Sequence, residues 1–292
     1  MNRKIILTLI GLFLSAAISL VVFWPNNQLH LIVCNVGQGD AILLTHGFDQ
    51  VLVDGGPNDK VLGCLARHMP FWDREIEVVV NTHPENDHLR GLVSVIQRYT
   101  VKQLIINSQF QDSEVFNQFQ QVVLTKKISV HSPKQGEKIK IGGLELAVLW
   151  PDQARGDIAL WTNPLLAKEV VLGAKTKKEN PNESAIVLEA KYGKFRALLT
   201  GDIPDKIESL VVNYCQAVDC ASPVDVLKVS HHGSKTSTTQ AFLAYFQPKE
   251  AIISVGANSF GHPTQEVLDR LTAVGSKILR TDLRGDVEIT AP

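Results

Sequence analysis

Short apolar runs rich in Val, Ile and Leu recur along this chain, separated by stretches with apolar residues three and four positions apart. The runs read as strands and the stretches as helices. Three runs, His30–Asn35, Ala41–Thr45 and Val51–Asp54, come first as a meander. Strands and helices then mix: Glu77–Thr82 before a helix at Leu89–Tyr99, Phe195–Thr200 before Asp205–Val212, Ala251–Val255 before Thr264–Ala273. That order points to an α/β chain of α+β type, with two packed sheets and helices outside, rather than one doubly wound parallel sheet. No internal repeat is evident. The long irregular stretch Pro151–Asn182 carries a basic patch at Lys175, Lys177 and Lys178 and reads as a lid or a disordered segment.

The amino terminus has a different character. Residues Ile5 to Trp24 carry no charge, Arg3 and Lys4 precede them, and Pro25-Asn26-Asn27-Gln28 follows. About 20 apolar residues suffice to cross a bilayer as a helix. The cations place Met1 in the cytoplasm and the rest outside. A cleaved signal peptide is the alternative, with Ser15-Ala16-Ala17 as its cleavage site, but the apolar run continues beyond it. We therefore expect a single-pass anchor and linker over residues 1–28 and an extracytoplasmic domain over 29–292.

Composition narrows the options. The 292 residues are 45% hydrophobic and 20% charged, which excludes disordered and fibrous classes. The formal net charge is −1, and without the two cations of residues 1–24 it is −3, so net charge alone does not draw this domain to a phosphate backbone. Four cysteines are too few for a disulfide scaffold. Cys215 and Cys220 either close a small ring or stay free; Cys34 reads as core and Cys64 as a helix residue.

The chemistry-bearing residues cluster at strand ends. Thr82-His83-Pro84-Glu85-Asn86-Asp87-His88 places four ligand-type side chains within six residues. In extended backbone His83, Glu85 and Asp87 share one side. Such a set suits a divalent metal; a polar turn with Asp87 as helix cap is the bland reading. Thr200-Gly201-Asp202 ends another apolar run, with Asp202 a ligand or a cap. Ser230-His231-His232-Gly233-Ser234 ends a third, and two histidines after a buried strand are hard to explain by packing. Gly261-His262-Pro263 is the weakest feature, because a lone histidine there is more often structural.

Val36-Gly37-Gln38-Gly39-Asp40-Ala41, Val53-Asp54-Gly55-Gly56, His83–His88, Thr200–Asp202 and Ser230–Ser234 occur in the order and spacing of metallo-β-lactamase-fold hydrolases. Over about residues 29–290 the chain resembles the extracellular hydrolase domain of ComEC-type competence proteins, and Asn258 through His262 to Leu271 resembles that group's carboxy-terminal segment. A single membrane helix departs from the multi-helix channel of that group. The resemblance implies an αββα sandwich of two mixed sheets with the site at one edge. It implies two divalent ions, Zn or Mn: one on His83, Glu85 and Asp202, the other on Asp87, His88, Asp202 and either His231 or His232. Asp202 bridges them, and Asp54 and Asp40 support the ligands. Asp87, Asp202 and His262 are the candidate catalytic residues; Ser230, Ser234 and Lys235 are candidates for binding phosphate.

Two positions depart from the pattern. Glu85 stands where the second histidine of H-x-H-x-D-H belongs, and Asn35 replaces an aspartate. A carboxylate in place of imidazole shifts preference toward harder ions such as Mn²⁺, or leaves the first site weak. The resemblance implies a metal-activated water attacking a phosphodiester in line, with single-stranded DNA as substrate and a membrane DNA-uptake channel as partner. The alternatives are a hydrolase of cell-envelope phosphodiesters or small esters, and a non-catalytic binding module on a degraded site.

Overall fold

The computed structural model describes residues 3–22, 24–107, 109, 111, 113–153, 180–218, 220 and 222–291. The basic patch at Lys175–Lys178 lies outside them. The apolar amino-terminal run forms helix α1 (Arg3–Val22). Among the described residues no helix is long and apolar enough to cross a membrane, so α1 is a helix but not an established span.

The remaining described elements form two seven-stranded sheets. The first runs β14 (Val287–Ala291), β1 (Leu29–Val33), β2 (Ile42–His46), β3 (Asp49–Val53), β4 (Glu75–Asn81), β5 (Thr100–Ile106), β6 (Ser129–His131). The second runs β13 (Lys277–Arg280), β12 (Glu250–Ile253), β11 (Val226–Lys228), β10 (Phe195–Leu199), β9 (Val187–Tyr192), β8 (Leu144–Trp150), β7 (Lys138–Ile141). Each sheet opens as an antiparallel meander and continues with parallel strands. The two halves thus repeat one plan that the sequence does not reveal.

Alternation builds the layers. Val51 and Val53 of β3 and Val78 and Val80 of β4 face the second sheet. Leu52 and Val79 face the outer helices α2 (Lys60–His68), α3 (Asn86–Arg98) and α4 (Glu114–Lys126). On the other side Leu198 and Leu227 pack under α5 (Asp205–Val218), α6 (Gln240–Phe246) and α7 (Gln265–Ala273). Because both faces are buried, the strands read as continuous apolar runs rather than alternating ones. The result is the expected helix–sheet–sheet–helix sandwich.

The four cysteines pair. Cys34 and Cys64 form a disulfide, Cα–Cα 5.9 Å, tying the end of β1 to α2. Cys34 is core, as its apolar run predicts, and Cys64 sits in α2; the bond between them is what the sequence did not show. Cys215 and Cys220 are also bonded. Strand β6 and the short helix α8 (Thr281–Arg284) were not legible in the sequence.

Candidate metal centre

Parallel pairing brings the candidate residues together. Val53 pairs with Val80, and Leu199 with Lys228, so these strands end in line. The loops leaving their carboxyl ends carry Asp54, Thr82–His88, Asp202 and Ser230–His232. That rim is where open α/β sheets bind ligands.

Glycines let the loops close on one another. A side chain on Gly39 would strike the Asp87 carbonyl, and one on Gly91 of α3 the Gly55 carbonyl. The loop bearing Asp40 is thereby pressed onto the start of α3, and the Asp40 amide donates to the Asp87 carbonyl (3.2 Å). Asp54 (φ 60°), His231 (φ 49°) and His232 (φ 53°) hold left-handed backbone. Such backbone costs on the order of 1 kcal/mol or more per residue and persists where the surroundings enforce it.

Four groups converge: ligand atoms of Asp87, His88, Asp202 and His232 all lie within 4.8 Å of one another. Asp202 Oδ2 is 3.4 Å from His88 Nε2 and 3.3 Å from His232 Nε2, and Asp87 Oδ2 is 3.4 Å from His232 Nε2. The His83 ring is tilted against that of His88, at 49° with centroids 4.1 Å apart. Its Nε2 is 3.8 Å from Glu85 Oε2. Neither His83 nor Glu85 belongs to the tight group of four.

The tautomers follow from the partners. His232 Nδ1 contacts the Ser254 carbonyl (2.8 Å), which only accepts, so Nδ1 donates. His88 Nδ1 donates to Asp54 Oδ2 (2.8 Å). Thr82 Oγ1 donates its one proton to Asp54 Oδ2 (2.7 Å) and so accepts from His83 Nδ1 (2.9 Å). His88 and His232 therefore turn Nε2 toward the centre and His83 turns its Nε2 toward Glu85, and all three Nε2 atoms are buried without a hydrogen-bond partner. Buried polar atoms left unpaired in this way are costly. The Nε2 atoms of His88 and His232 with the carboxylates of Asp87 and Asp202 are a donor set that fits a divalent cation.

The electrostatics agree. Burial works against ionised Asp202, but His232, His88 and Lys228 outweigh it and hold its carboxyl well below the usual range. Asp87 is likewise lowered: burial opposes, and His88 and His232 prevail. Burial also opposes protonation of His232, yet Asp202 and Asp40 push it up to about 9. His88 is raised by Asp202 and Asp54 against its burial. In the absence of a cation, protons take its place.

Lys228 is a component that sequence reasoning missed. Its ammonium is fully buried, paired with Asp40, and donates to the Gly201 carbonyl (3.1 Å) and Asp202 Oδ1 (3.5 Å). The available signal was a lysine inside the apolar run Val226–Val229. Thr82 and Ser254, which orient imidazoles, carried no signal.

His231 and His262 line the mouth. His231 is partly exposed, with Nε2 3.9 Å from Asp202 Oδ2, and its ring lies 5.6 Å from that of His262. Burial first, and then neighbouring histidines, lower both. Ser230 and Ser234 lie deeper in the same loop. Ser230 is fully buried beside Glu208, and Ser234 is buried and hydrogen-bonded to Thr236 Oγ1 (3.0 Å). Their hydroxyls lie inward, while the left-handed turn at His231–His232 sends the His232 imidazole to the centre and that of His231 to the mouth. Lys235 is exposed, its carbonyl held by Arg270 (3.2 Å).

Comparison with known proteins agrees with this geometry. The family described as Metallo-beta-lactamase superfamily matches residues 34–257. The chain is 27% identical over 279 residues to ComE operon protein 3 of Bacillus subtilis, covering 87% of this chain and 32% of that protein. It is 27% identical over 261 residues to Recombination protein 2 of Haemophilus influenzae (87% of this chain, 28% of that protein), and 38% identical over 122 residues to competence protein ComA of Neisseria gonorrhoeae (41% and 17%). The chain spans a third or less of the length of these relatives. Among solved structures, the metallo-beta-lactamase fold protein YhfI from Bacillus subtilis superposes with TM-score 0.56 at 10% identity, covering 90% of this chain and all of that one. This likeness concerns the fold. By the family match over residues 34–257 and the ligand set at its strand ends, the chain belongs to the metallo-beta-lactamase superfamily of hydrolases, and within it to a group similar to ComEC-type competence proteins.

Proposed function

We propose that this chain is a metal-dependent phosphodiesterase of the ComEC type, acting on single-stranded DNA outside the membrane to which α1 anchors it. The observation that carries this reading is the convergence of the unpaired Nε2 atoms of His88 and His232 on Asp87 and Asp202. A bound divalent ion lowers the pKa of water and neutralises charge on phosphoryl oxygens. Asp87, His88, Asp202 and His232 would hold one ion. His83 and Glu85, together with Asp202, would hold a second. Lys228 fixes the Asp202 carboxylate from behind, and Asp54 fixes His88. His231, partly exposed and shifted toward its neutral form, is placed to accept a proton at Nε2, and His262 stands behind it.

Two features support the location. Both cysteine pairs are bonded, as in an oxidising compartment. Arg3 and Lys4 open α1, and no cation follows the helix before Leu29. Association with a membrane DNA-uptake channel, which the resemblance to competence proteins implies, belongs to the same proposal. A hydrolase of small envelope phosphodiesters is the second reading, favoured by the net charge of −1.

The test is hydrolysis by the full chain in detergent, with Mn²⁺ or Zn²⁺ added, of single-stranded DNA and of a chromogenic phosphodiester. Cleavage of DNA that is lost in Asp202→Asn supports the nuclease. Cleavage of the small ester alone selects the second reading, and cleavage of neither overturns both. Glu85→His should shift the metal preference from Mn²⁺ toward Zn²⁺, read by elemental analysis after dialysis against both.

A further inference from the structure

An exposed aromatic row leads from solvent to the metal centre. Phe260 is 71% exposed, and its ring stacks on His262 at 5.7 Å with the planes 30° apart. His262 meets His231 edge-on at 5.6 Å. The His231 Nε2 is 3.9 Å from Asp202. One face of Phe260 is thus occupied by the His262 ring while most of the side chain lies open to solvent, at the mouth of the centre.

The loop that presents Phe260 is braced. The Asn258 amide nitrogen donates to the carbonyls of Gly256 and His262, both at 2.9 Å, and its oxygen accepts from the amides of Phe260 (3.0 Å) and His262 (3.1 Å). The loop is also tied to the turn that carries the ligand His232. The Thr264 amide donates to the Gly233 carbonyl (3.0 Å), and a side chain on Gly233 would strike Pro263. Phe260 therefore holds a defined position relative to Asp202 and His232, whereas an exposed ring on an unbraced loop would carry no such information.

Charge does not do this work. The chain carries −1 overall. Among the described residues the cation at the centre, Lys228, is buried and committed to Asp40 and Asp202. A strand held here needs another source of affinity. Stacking of bases on aromatic rings supplies it without reading sequence, because every base has a π-face. The aromatic row is also short enough for a base on Phe260 and a phosphate at Asp202 to belong to one strand.

We propose that Phe260, backed by His262, is a stacking platform for a nucleobase of the substrate. This rests on the phosphodiesterase reading and narrows it to unpaired nucleotide chains, since a base paired in a duplex does not offer its face to a ring.

The experiment uses the full chain in detergent with Mn²⁺. It compares two fluorescently labelled probes of equal length and charge: an oligothymidylate, and the same backbone carrying abasic tetrahydrofuran units. Binding is read by anisotropy and cleavage on a gel. Wild type should bind the oligothymidylate more tightly than the abasic strand. Phe260→Ala should weaken oligothymidylate binding by about 5- to 150-fold, the range expected for one stacked base, and leave abasic binding unchanged. Phe260→Trp should restore the difference. Because Phe260 is exposed, the alanine variant should melt as wild type does. Equal binding of the two strands by wild type, or equal loss on both in the alanine variant, overturns the platform. Base-dependent binding without any cleavage keeps the platform and removes the nuclease. Cleavage that is indifferent to Phe260 and to the bases does the reverse.

Discussion

His88 donates from Nδ1 to Asp54 Oδ2 at 2.8 Å, and this one bond decides that its Nε2 faces Asp202, 3.4 Å away. Asp54 directly follows β3 while His88 sits in α3, so the relationship couples strand end to helix at the metal centre. Outer partners of this kind orient ligand imidazoles and raise their basicity.

Asp54→Asn keeps an oxygen for the Thr82 amide, now 2.8 Å away, and asparagine tolerates the left-handed backbone. The fold should survive while metal affinity falls about 10- to 100-fold. Competition of Mn²⁺ or Zn²⁺ against a chelating dye measures this. An unchanged affinity would remove the orienting role.

Metal binding should release protons. The metal-free His232 is pushed up to about 9 from 6.5. A group raised in the folded state stabilises fully below its unfolded value and loses that contribution as pH rises through its folded value. Metal-free protein should therefore lose stability between pH about 6.5 and about 9, on the order of 3 kcal/mol at most from this group. Metal-loaded protein should not show that loss. Thermal melts across pH, with and without chelator, give the first result. Calorimetric titrations in buffers of different ionisation enthalpy count the protons.

Lys228→Met leaves Asp40 and Asp202 buried without their ammonium. Removing one partner of a buried ion pair costs about 3–5 kcal/mol. Denaturant melts of the metal-free variant should show that loss, and adding Asp40→Asn should recover part of it. A single variant as stable as wild type would mean that the ammonium is not what holds these carboxylates.

The Cys34–Cys64 bond closes a loop of sequence separation 30 and clamps β1 to α2. Cys34→Ser with Cys64→Ser should cost about 2–4 kcal/mol. The Cys215–Cys220 bond spans a separation of only 5 and should matter less, because a shorter loop constrains the unfolded chain less. Urea melts of the two double variants rank them, and the reverse order would contradict the loop-length argument.

The local pattern determined a good deal. Apolar runs marked the strands of both sheets, because strands buried on two faces need apolar residues throughout. The breaks after them marked Asp54, His83–His88, Asp202 and His231–His232, because imidazoles and carboxylates have no place in such strands unless paired. Only the tertiary structure decided the rest. Register between strands distant in sequence put Val53 beside Val80 and Leu199 beside Lys228, and no local signal encodes that pairing. The left-handed turn chose His232 for the centre and His231 for the mouth, while sending Ser230 and Ser234 inward. Lys228 and the Cys34–Cys64 link looked like ordinary members of apolar or helical runs until their partners arrived from elsewhere in the chain. Periodicity is a property of neighbours along the backbone, whereas pairing of buried charges and thiols is a property of neighbours in space.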